Sequence, residues 1–215
     1  TSGKGCKVTV KSATGEKVIE CDIVLSAVGI AANIEGIGLE EVGIVTDKGK
    51  IKTDEFYKTN IPGYYAIGDA TPGQALAHVA SAEGIICVEA IAGQKPHALD
   101  YNNIPGCTYC SPQIASVGLT EQAAKENKLN VRIGRFPFVG NGKAIALGEM
   151  EGLVKTIFDA KTGELLGAHM IGAEVTELVQ GFVIAMNLAT TEAELIHSIF
   201  APPTISELVQ GSTLE

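Results

Sequence analysis

Residues 59–84 read TNIPGYYAIGDATPGQALAHVASAEG, and this stretch determines the fold that we expect. Its residues 60–63, Asn-Ile-Pro-Gly, are typical of a turn. The short apolar run at 64–67 favours a buried strand, which the Gly-Asp pair at 68–69 ends. After a second Pro-Gly break, the alanine-rich residues 74–84 favour a helix. We therefore predict a turn, a strand, an acidic loop and a helix, in that order.

Asp69 is the candidate ligand-binding residue of this stretch. Ligands of open α/β sheets bind beyond the carboxyl ends of the strands, and an ionised carboxylate can only accept hydrogen bonds. Asp69 therefore suits a hydroxyl-bearing ligand such as a sugar or a ribityl chain. The unpaired N–H groups at the start of the next helix suit an anionic ring edge or a phosphate. The alternative is that Asp69 only caps its own helix, and the spacing alone does not decide between the two.

The composition excludes several classes of protein. The 215 residues are 46% hydrophobic and include 25 glycines and no tryptophan, which suits one or two α/β or α+β domains with tight turns. A net charge of −9 argues against nucleic acid or an anionic membrane as a partner. The sequence has no signal peptide and no apolar run long enough to span a bilayer. Five irregularly spaced cysteines indicate free thiols in a reducing, cytoplasmic compartment.

The N-terminal residues predict a hairpin, with strands at 7–11 and 17–20, followed by a buried strand at 21–28 that ends at Gly29. A domain rarely begins with a bare hairpin that leads into a central strand. We therefore expect this chain to be the C-terminal part of a longer protein.

The second half of the chain shows a different order of elements. The polar, turn-rich residues 100–106 indicate a domain boundary. Extended segments then come first and helices follow, which favours an antiparallel sheet with helices on one face. We expect strands within 107–118, 130–138, 152–158 and 164–171, and helices at 120–127, 174–189 and 192–199.

The run T-N-x-P-G-Y-Y-A-I-G-D, followed by an L-A-H-x-A helix, closely resembles a flavin-contacting segment of the pyridine nucleotide–disulfide oxidoreductases. Within that family it is most similar to the dihydrolipoamide dehydrogenase branch. The resemblance implies that Asp69 hydrogen-bonds the ribityl chain of FAD. It also implies that the backbone of Leu76, Ala77 and His78 lies against the pyrimidine edge of the flavin. Gly29 would match a glycine whose main chain runs close to the nicotinamide side of the flavin.

The same resemblance implies the domain organisation and the activity. A partial FAD/NAD-binding domain, with the end of the NAD-binding domain at 1–30 and a central FAD-contacting segment at 31–105, would precede a reductase dimerisation domain at 106–215. The parent enzyme would oxidise dihydrolipoamide with NAD through FAD and a redox disulfide. Its partners would be an identical chain, bound through residues 107–215, and the lipoyl domains of 2-oxo acid dehydrogenase complexes.

The C-terminal run Phe-Ala-Pro-Pro-Thr-Ile-Ser-Glu at 200–207 bears on catalysis. The family reads H-x-H-P-T-x-S-E here, and its second His, oriented by the Glu, exchanges a proton with the interchange thiol. In this sequence the two His positions are Phe200 and Pro202, whereas Glu207 is present. Proline has no proton to exchange, so the resemblance implies that Glu207 is a catalytic residue without its partner. Either the chain is impaired, or His197 takes the role, or the sequence is altered; alternatively Glu207 is an ordinary helix-start acid.

Cys107-Thr-Tyr-Cys110 has the C-x-x-C spacing of a redox pair or of half a zinc site. A second pair of ligands at zinc spacing is missing, and the motif falls in an expected strand rather than at a helix N-terminus. We therefore interpret these cysteines as structural and predict no metal site.

The sequence also lacks two motifs that a flavoenzyme of this family requires. It contains neither a G-x-G-x-x-G fingerprint nor a C-x4-C redox pair, so we expect this chain alone to be inactive. FAD and NAD would bind only in the full-length protein. Two alternatives stay open: a non-catalytic dimerisation module, and a sister disulfide or mercuric reductase on the same scaffold.

Overall fold

The structure is a computed structural model that describes residue 3 and residues 5–214, so the outermost residues of the predicted ranges 1–30 and 106–215 lie outside it. In chain order the strands are β1 (Cys6–Ser12), β2 (Gly15–Cys21), β3 (Thr46–Asp47), β4 (Lys50–Ile51), β5 (Gly106–Thr108), β6 (Gln113–Gly118), β7 (Val131–Pro137), β8 (Leu153–Asp159) and β9 (Leu165–Gly172). The α-helices are α1 (Leu39–Val42), α2 (Ala77–Ile91), α3 (Glu121–Glu126), α4 (Gly142–Leu147), α5 (Val175–Asn187), α6 (Glu192–His197) and α7 (Glu207–Leu214).

The second half of the chain forms a five-stranded antiparallel sheet with the strand order β5-β6-β9-β8-β7. Helix α5 packs against β6 and β9, and α7 packs against β7 and β8. The contact is apolar because buried residues alternate along the strands, and Val179 and Phe182 of α5 complete the core below Val117 and Met170. The predicted antiparallel sheet with covering helices is confirmed.

Helix α7, which begins at Glu207, is fixed to the sheet by a close backbone approach. The Thr156 hydroxyl of β8 donates to the Ser212 carbonyl at 2.8 Å, and both residues are fully buried. A Cβ atom at Gly134 would lie only 1.7 Å from the same carbonyl oxygen, so this approach requires glycine. The sheet therefore determines where the C-terminal end of α7 lies.

The predicted buried strand at 21–28 is wrong for this chain. The β1–β2 hairpin forms with Ser12 opposite Gly15, but residues 22–35 form no strand. Ile23, Leu25 and Val28 are 83%, 88% and 93% exposed. A central strand needs neighbours to pair its backbone groups, and the described residues provide none at this position.

The predicted buried strand at 64–67 is also wrong. Lys58 and Tyr65 form a single bridge, and the side chains of Tyr64 and Ile67 are 47% and 39% exposed. The turn before it is present, since Tyr64 N–H donates to the Ile61 carbonyl at 3.1 Å. The predicted helix is present too, but it begins at Ala77 rather than residue 74 because Leu76 keeps an extended backbone.

In the part of the chain that the structure describes, no helix has both the length and the apolar character needed to cross a membrane.

Candidate functional site

Asp69 lies in the middle of a single 3-10 turn, Gly68–Ala70, which follows the irregular 64–67 segment. Its side chain is exposed, and its carboxylate accepts no hydrogen bond from any described residue. Asp69 does not cap the helix that follows it, because no side chain accepts a hydrogen bond from the start of α2. The carboxylate is therefore available to a ligand.

The backbone of this turn is held by hydrogen bonds from three directions. Gly68 N–H donates to Glu83 Oε2 at 2.5 Å. The Gly68 carbonyl accepts from the Thr71 N–H at 2.9 Å and from the Thr71 hydroxyl at 2.8 Å. The Lys50 ammonium donates to the Asp69 carbonyl. Gly68 has φ of +68°, a conformation that favours glycine. The main chain is therefore fixed while the Asp69 carboxylate remains outside.

Glu83 lies behind this turn with two tyrosines. It is 1% exposed, and its Oε1 accepts from the Tyr101 hydroxyl at 2.7 Å, which lies 3.3 Å from the Tyr57 hydroxyl. Burial raises the pKa of Tyr101, and its hydrogen bonds to Tyr57 and Glu83 raise it further. Burial also raises the pKa of Tyr57. Both phenols therefore stay neutral and can donate. The sequence analysis missed this cluster. The one signal of it in the sequence is Glu83, an acidic residue inside an apolar helix.

The start of α2 lies beside the Asp69 turn, since a Cβ atom at Gly68 would be 3.1 Å from the Ala80 Cβ atom. The first helical bond runs from Ala80 N–H to the Leu76 carbonyl at 3.0 Å. The N–H groups of Ala77 and His78 consequently have no acceptor among the described residues. Both residues are exposed, and Leu76 is half-buried. Asp69 and the predicted helix start thus meet at one place.

The His78 side chain faces residues 100–106, the linker between the two halves of the chain. Its Nε2 atom lies 3.0 Å from the Pro105 carbonyl oxygen, so the imidazole is already bonded while the backbone N–H is free. Gly29 lies apart from this arrangement: it is exposed with φ of +79°, and no hydrogen bond joins it to Asp69 or α2 among the described residues.

Glu207 is the first residue of α7 and is half-buried. Its Oε2 accepts from the Thr204 N–H at 2.9 Å, and the buried Asn141 side chain donates to the Thr204 carbonyl at 3.0 Å. Pro202 is exposed, whereas Phe200 packs against the main core. Glu207 therefore bonds the backbone of the loop that precedes α7.

His197 does not reach Glu207 in this structure. It is exposed in the last turn of α6, and its Nδ1 lies 2.7 Å from the Ala193 carbonyl oxygen. No hydrogen bond or ion pair links it to Glu207 among the described residues. The geometry gives no support to His197 as a replacement for the absent histidine.

The two cysteines of the C-x-x-C motif are both free thiols. Cys107 is half-buried in β5, and the exposed Cys110 donates to the Pro112 carbonyl at 3.0 Å. The described residues contain no group of three or more His, Cys, Asp or Glu side chains that could hold a metal ion.

Comparison with protein families now identifies the scaffold. Residues 104–212 match the dimerisation domain of the pyridine nucleotide-disulphide oxidoreductases, and residues 1–84 match the pyridine nucleotide-disulphide oxidoreductase domain. The chain belongs to this family. The Asp69 turn falls inside the match at 1–84, and Glu207 falls inside the match at 104–212.

Two relatives agree with this assignment. The dihydrolipoyl dehydrogenase of Rhizobium etli is 59% identical over 198 residues, which are 92% of this chain and 41% of that protein. The enzyme of the same name from Zymomonas mobilis is 54% identical over 189 residues, 87% of this chain and 41% of that protein. The chain therefore spans about 41% of the length of these relatives.

Solved structures show the same fold. LpdA from Mycobacterium tuberculosis superposes with a TM-score of 0.86 at 24% identity, over 96% of this chain and 47% of that one. The HOCl-induced flavoprotein disulfide reductase RclA from Escherichia coli superposes equally well at 22% identity, over 97% of this chain and 48% of that one. At these identities the likeness concerns the fold alone.

The tyrosine cluster predicts how stability depends on pH. The pKa of Tyr101 is raised in the folded state. Its contribution to the free energy of unfolding is therefore complete below about pH 10, where the phenol is neutral in the folded and the unfolded state, and is lost at higher pH. The free energy of unfolding of the wild-type chain should fall more steeply above about pH 10 than that of Tyr101→Phe. Urea denaturation at a series of pH values measures both slopes.

The matched control is Tyr109→Phe, since that side chain is 83% exposed. It should retain the wild-type slope. Equal slopes in the wild type and in Tyr101→Phe would show that the Tyr101 hydroxyl is not held in the cluster as described.

Proposed function

We propose that this chain is the C-terminal part of a dihydrolipoyl dehydrogenase-like flavoprotein. The whole protein would oxidise dihydrolipoamide with NAD through FAD and a redox disulfide. The support is the name shared by the R. etli and Z. mobilis relatives, together with the share of their length that the chain spans. These 215 residues contain neither the redox pair nor the main FAD fingerprint, so the activity would belong to a longer protein that supplies both.

The observation that carries this proposal is the exposed Asp69 carboxylate beside the free N–H groups at the start of α2. The residues fit a flavin: a ribityl chain offers hydroxyl donors to Asp69, and the carbonyl edge of a flavin ring offers acceptors to the N–H groups of Ala77 and His78. Bound FAD would supply the electron-carrying ring, whereas this chain supplies position and polarity. We propose that the Gly29 main chain lies close to the nicotinamide side of the flavin.

We propose the same division of the chain as the sequence indicated, with the end of the NAD-binding domain at 1–30, the FAD-contacting segment at 31–105 and the dimerisation domain at 106–215. The protein would form a homodimer through residues 107–215, which the match to a dimerisation domain supports. Lipoyl domains of 2-oxo acid dehydrogenase complexes would deliver the substrate. The five free cysteines support a reducing, cytoplasmic location.

A non-catalytic dimerisation module is the second candidate, and Pro202 is the observation that favours it. A thiol–disulfide reaction of this type needs a group that takes and returns a proton near neutral pH, which imidazole does and proline cannot. Glu207 keeps its place at the start of α7, where it bonds the Thr204 N–H. We therefore propose that Glu207 is the remaining half of an acid–base pair and that the chain as it stands is impaired.

Loss of the Asp69 carboxylate should weaken FAD binding. The protein for this test is a chimera in which the present chain replaces the matching part of the R. etli dihydrolipoyl dehydrogenase. Asp69→Ala should raise the Kd for FAD about tenfold or more, since a hydrogen bond to a charged group is worth about 1.5–3 kcal/mol. Fluorescence titration of the apoprotein with FAD measures this. Asp47→Ala, which removes an exposed aspartate in β3, is the control; an unchanged Kd for Asp69→Ala would contradict the proposed flavin site.

Restoring the imidazole should restore proton transfer. In the same chimera, Pro202→His should raise kcat for NAD reduction by dihydrolipoamide about 100-fold or more, the usual contribution of a positioned acid–base group. Pro202→Ala is the control, because it removes the proline without supplying a titratable group. If Pro202→His gives no more activity than Pro202→Ala, the acid–base account is wrong and the dimerisation-module alternative stands.

A further inference from the structure

Among the residues that the structure describes, Glu83 is a buried carboxylate to which neither the family motif nor the proposed chemistry gives a role. Glu83, in the second turn of α2, is 1% exposed. No lysine, arginine or histidine of the described residues forms an ion pair with it. A carboxylate in such a place is costly unless both oxygens accept hydrogen bonds.

Both oxygens of Glu83 are bonded, and each donor belongs to a different part of the chain. Oε2 accepts from the Gly68 N–H at 2.5 Å, and Oε1 accepts from the Tyr101 hydroxyl at 2.7 Å. Gly68 immediately precedes Asp69, and Tyr101 lies in the linker that leads to the dimerisation domain. Glu83 therefore joins the ligand-facing turn to the linker.

The chain enters this turn without a regular strand, although Ala66 N–H donates to the Tyr57 carbonyl at 3.0 Å. The residues before Gly68 form no strand, so no ladder partner takes up its N–H group. Ile67 is extended and 39% exposed. Among the described residues, the Gly68 N–H has no hydrogen-bond acceptor other than Glu83. Glu83 thus holds Gly68 at its N–H group, while Thr71 holds the Gly68 carbonyl. These bonds together set the direction of the Gly68–Asp69 peptide and of the Asp69 side chain.

We propose that Glu83 is a positioning residue, which holds the Gly68–Asp69 peptide so that the Asp69 carboxylate faces the ribityl hydroxyls, and that Tyr101 fixes Glu83 in this orientation. This inference rests on the flavin site proposed above. Glu83 does not touch the flavin; it acts through Asp69.

The linker carries two further contacts in line with this role. The Pro105 carbonyl bonds the His78 ring at 3.0 Å, and the Asn103 side chain donates to the Val183 carbonyl of α5 at 3.1 Å. Tyr101 and Pro105 thus contact the flavin segment while Asn103 contacts the dimerisation domain. The orientation of Asp69 is therefore tied to where the linker docks on the second domain.

A double-mutant cycle in the chimera tests whether Glu83 acts through Asp69. Glu83→Met keeps the side-chain length but removes both acceptors, and it should raise the Kd for FAD about tenfold. In the Asp69→Ala background the same change should have no further effect, because the group that it positions is absent. Glu83→Gln should keep the Kd within about threefold, since the amide can accept from Gly68 and donate to Tyr101.

Additive effects of Glu83→Met and Asp69→Ala would overturn the proposal, since they would show that Glu83 acts independently of Asp69. Glu89→Met, a change of a half-buried glutamate on the same helix, is the control and should leave the Kd unchanged. If Glu83→Met fails to fold, Tyr101→Phe takes its place in the cycle, with a smaller increase in Kd that again disappears in the Asp69→Ala background.

Hydrogen exchange of the Gly68 amide in the 215-residue chain separates this inference from the flavin site. Glu83→Met should speed exchange at Gly68 tenfold or more, while core amides of the five-stranded sheet keep their rates. If Asp69→Ala leaves FAD binding unchanged but Gly68 exchange responds to Glu83→Met, the flavin site fails and Glu83 still holds the turn. If Gly68 exchange does not respond, the positioning role is wrong whatever the flavin result.

Discussion

A carboxylate shut off from water must have its oxygens hydrogen-bonded, and this constraint organises the first half of the chain. Glu83 meets it with one backbone donor from the Gly68 turn and one phenol donor from the linker. As a consequence, three segments that form no common sheet are held in one arrangement. The same bonds leave the Asp69 carboxylate and the N–H groups of the α2 start turned outward, where a ligand can use them.

The two halves of the chain are stabilised differently. The second half has a continuous apolar core around Phe138, Phe182 and Leu208, each at most 1% exposed. The first half has a small cluster of Leu39, Ile44 and Ile51, and its strand-like residues 22–28 pair with no described strand. Apolar exposure on that scale is typical of a surface that another domain covers. The dimerisation domain is therefore the part that we expect to fold most independently.

The antiparallel sheet and its helices could be predicted because alternation and helix periodicity are local signals, as in β8, β9 and α5. Asp69 and the helix start could be predicted from the sequence order of a Gly-Asp pair and an Ala-rich helix. Two strands were predicted wrongly because residues 21–28 and 64–67 are apolar enough to pair, and pairing depends on neighbours that a local pattern does not contain. The Glu83–Tyr101 contact spans 18 positions, and its one local signal, an acidic residue inside an apolar helix, does not indicate the partner.

The central claim is that the Asp69 turn, held from behind by Glu83, receives the ribityl chain of a flavin. The most direct measurement is a crystal structure of the chimera with FAD bound. The account predicts an Asp69 carboxylate oxygen within about 3 Å of a ribityl hydroxyl, with the Gly68 N–H still bonded to Glu83. An Asp69 carboxylate that faces solvent, with the ribityl chain bound by other residues, would contradict it.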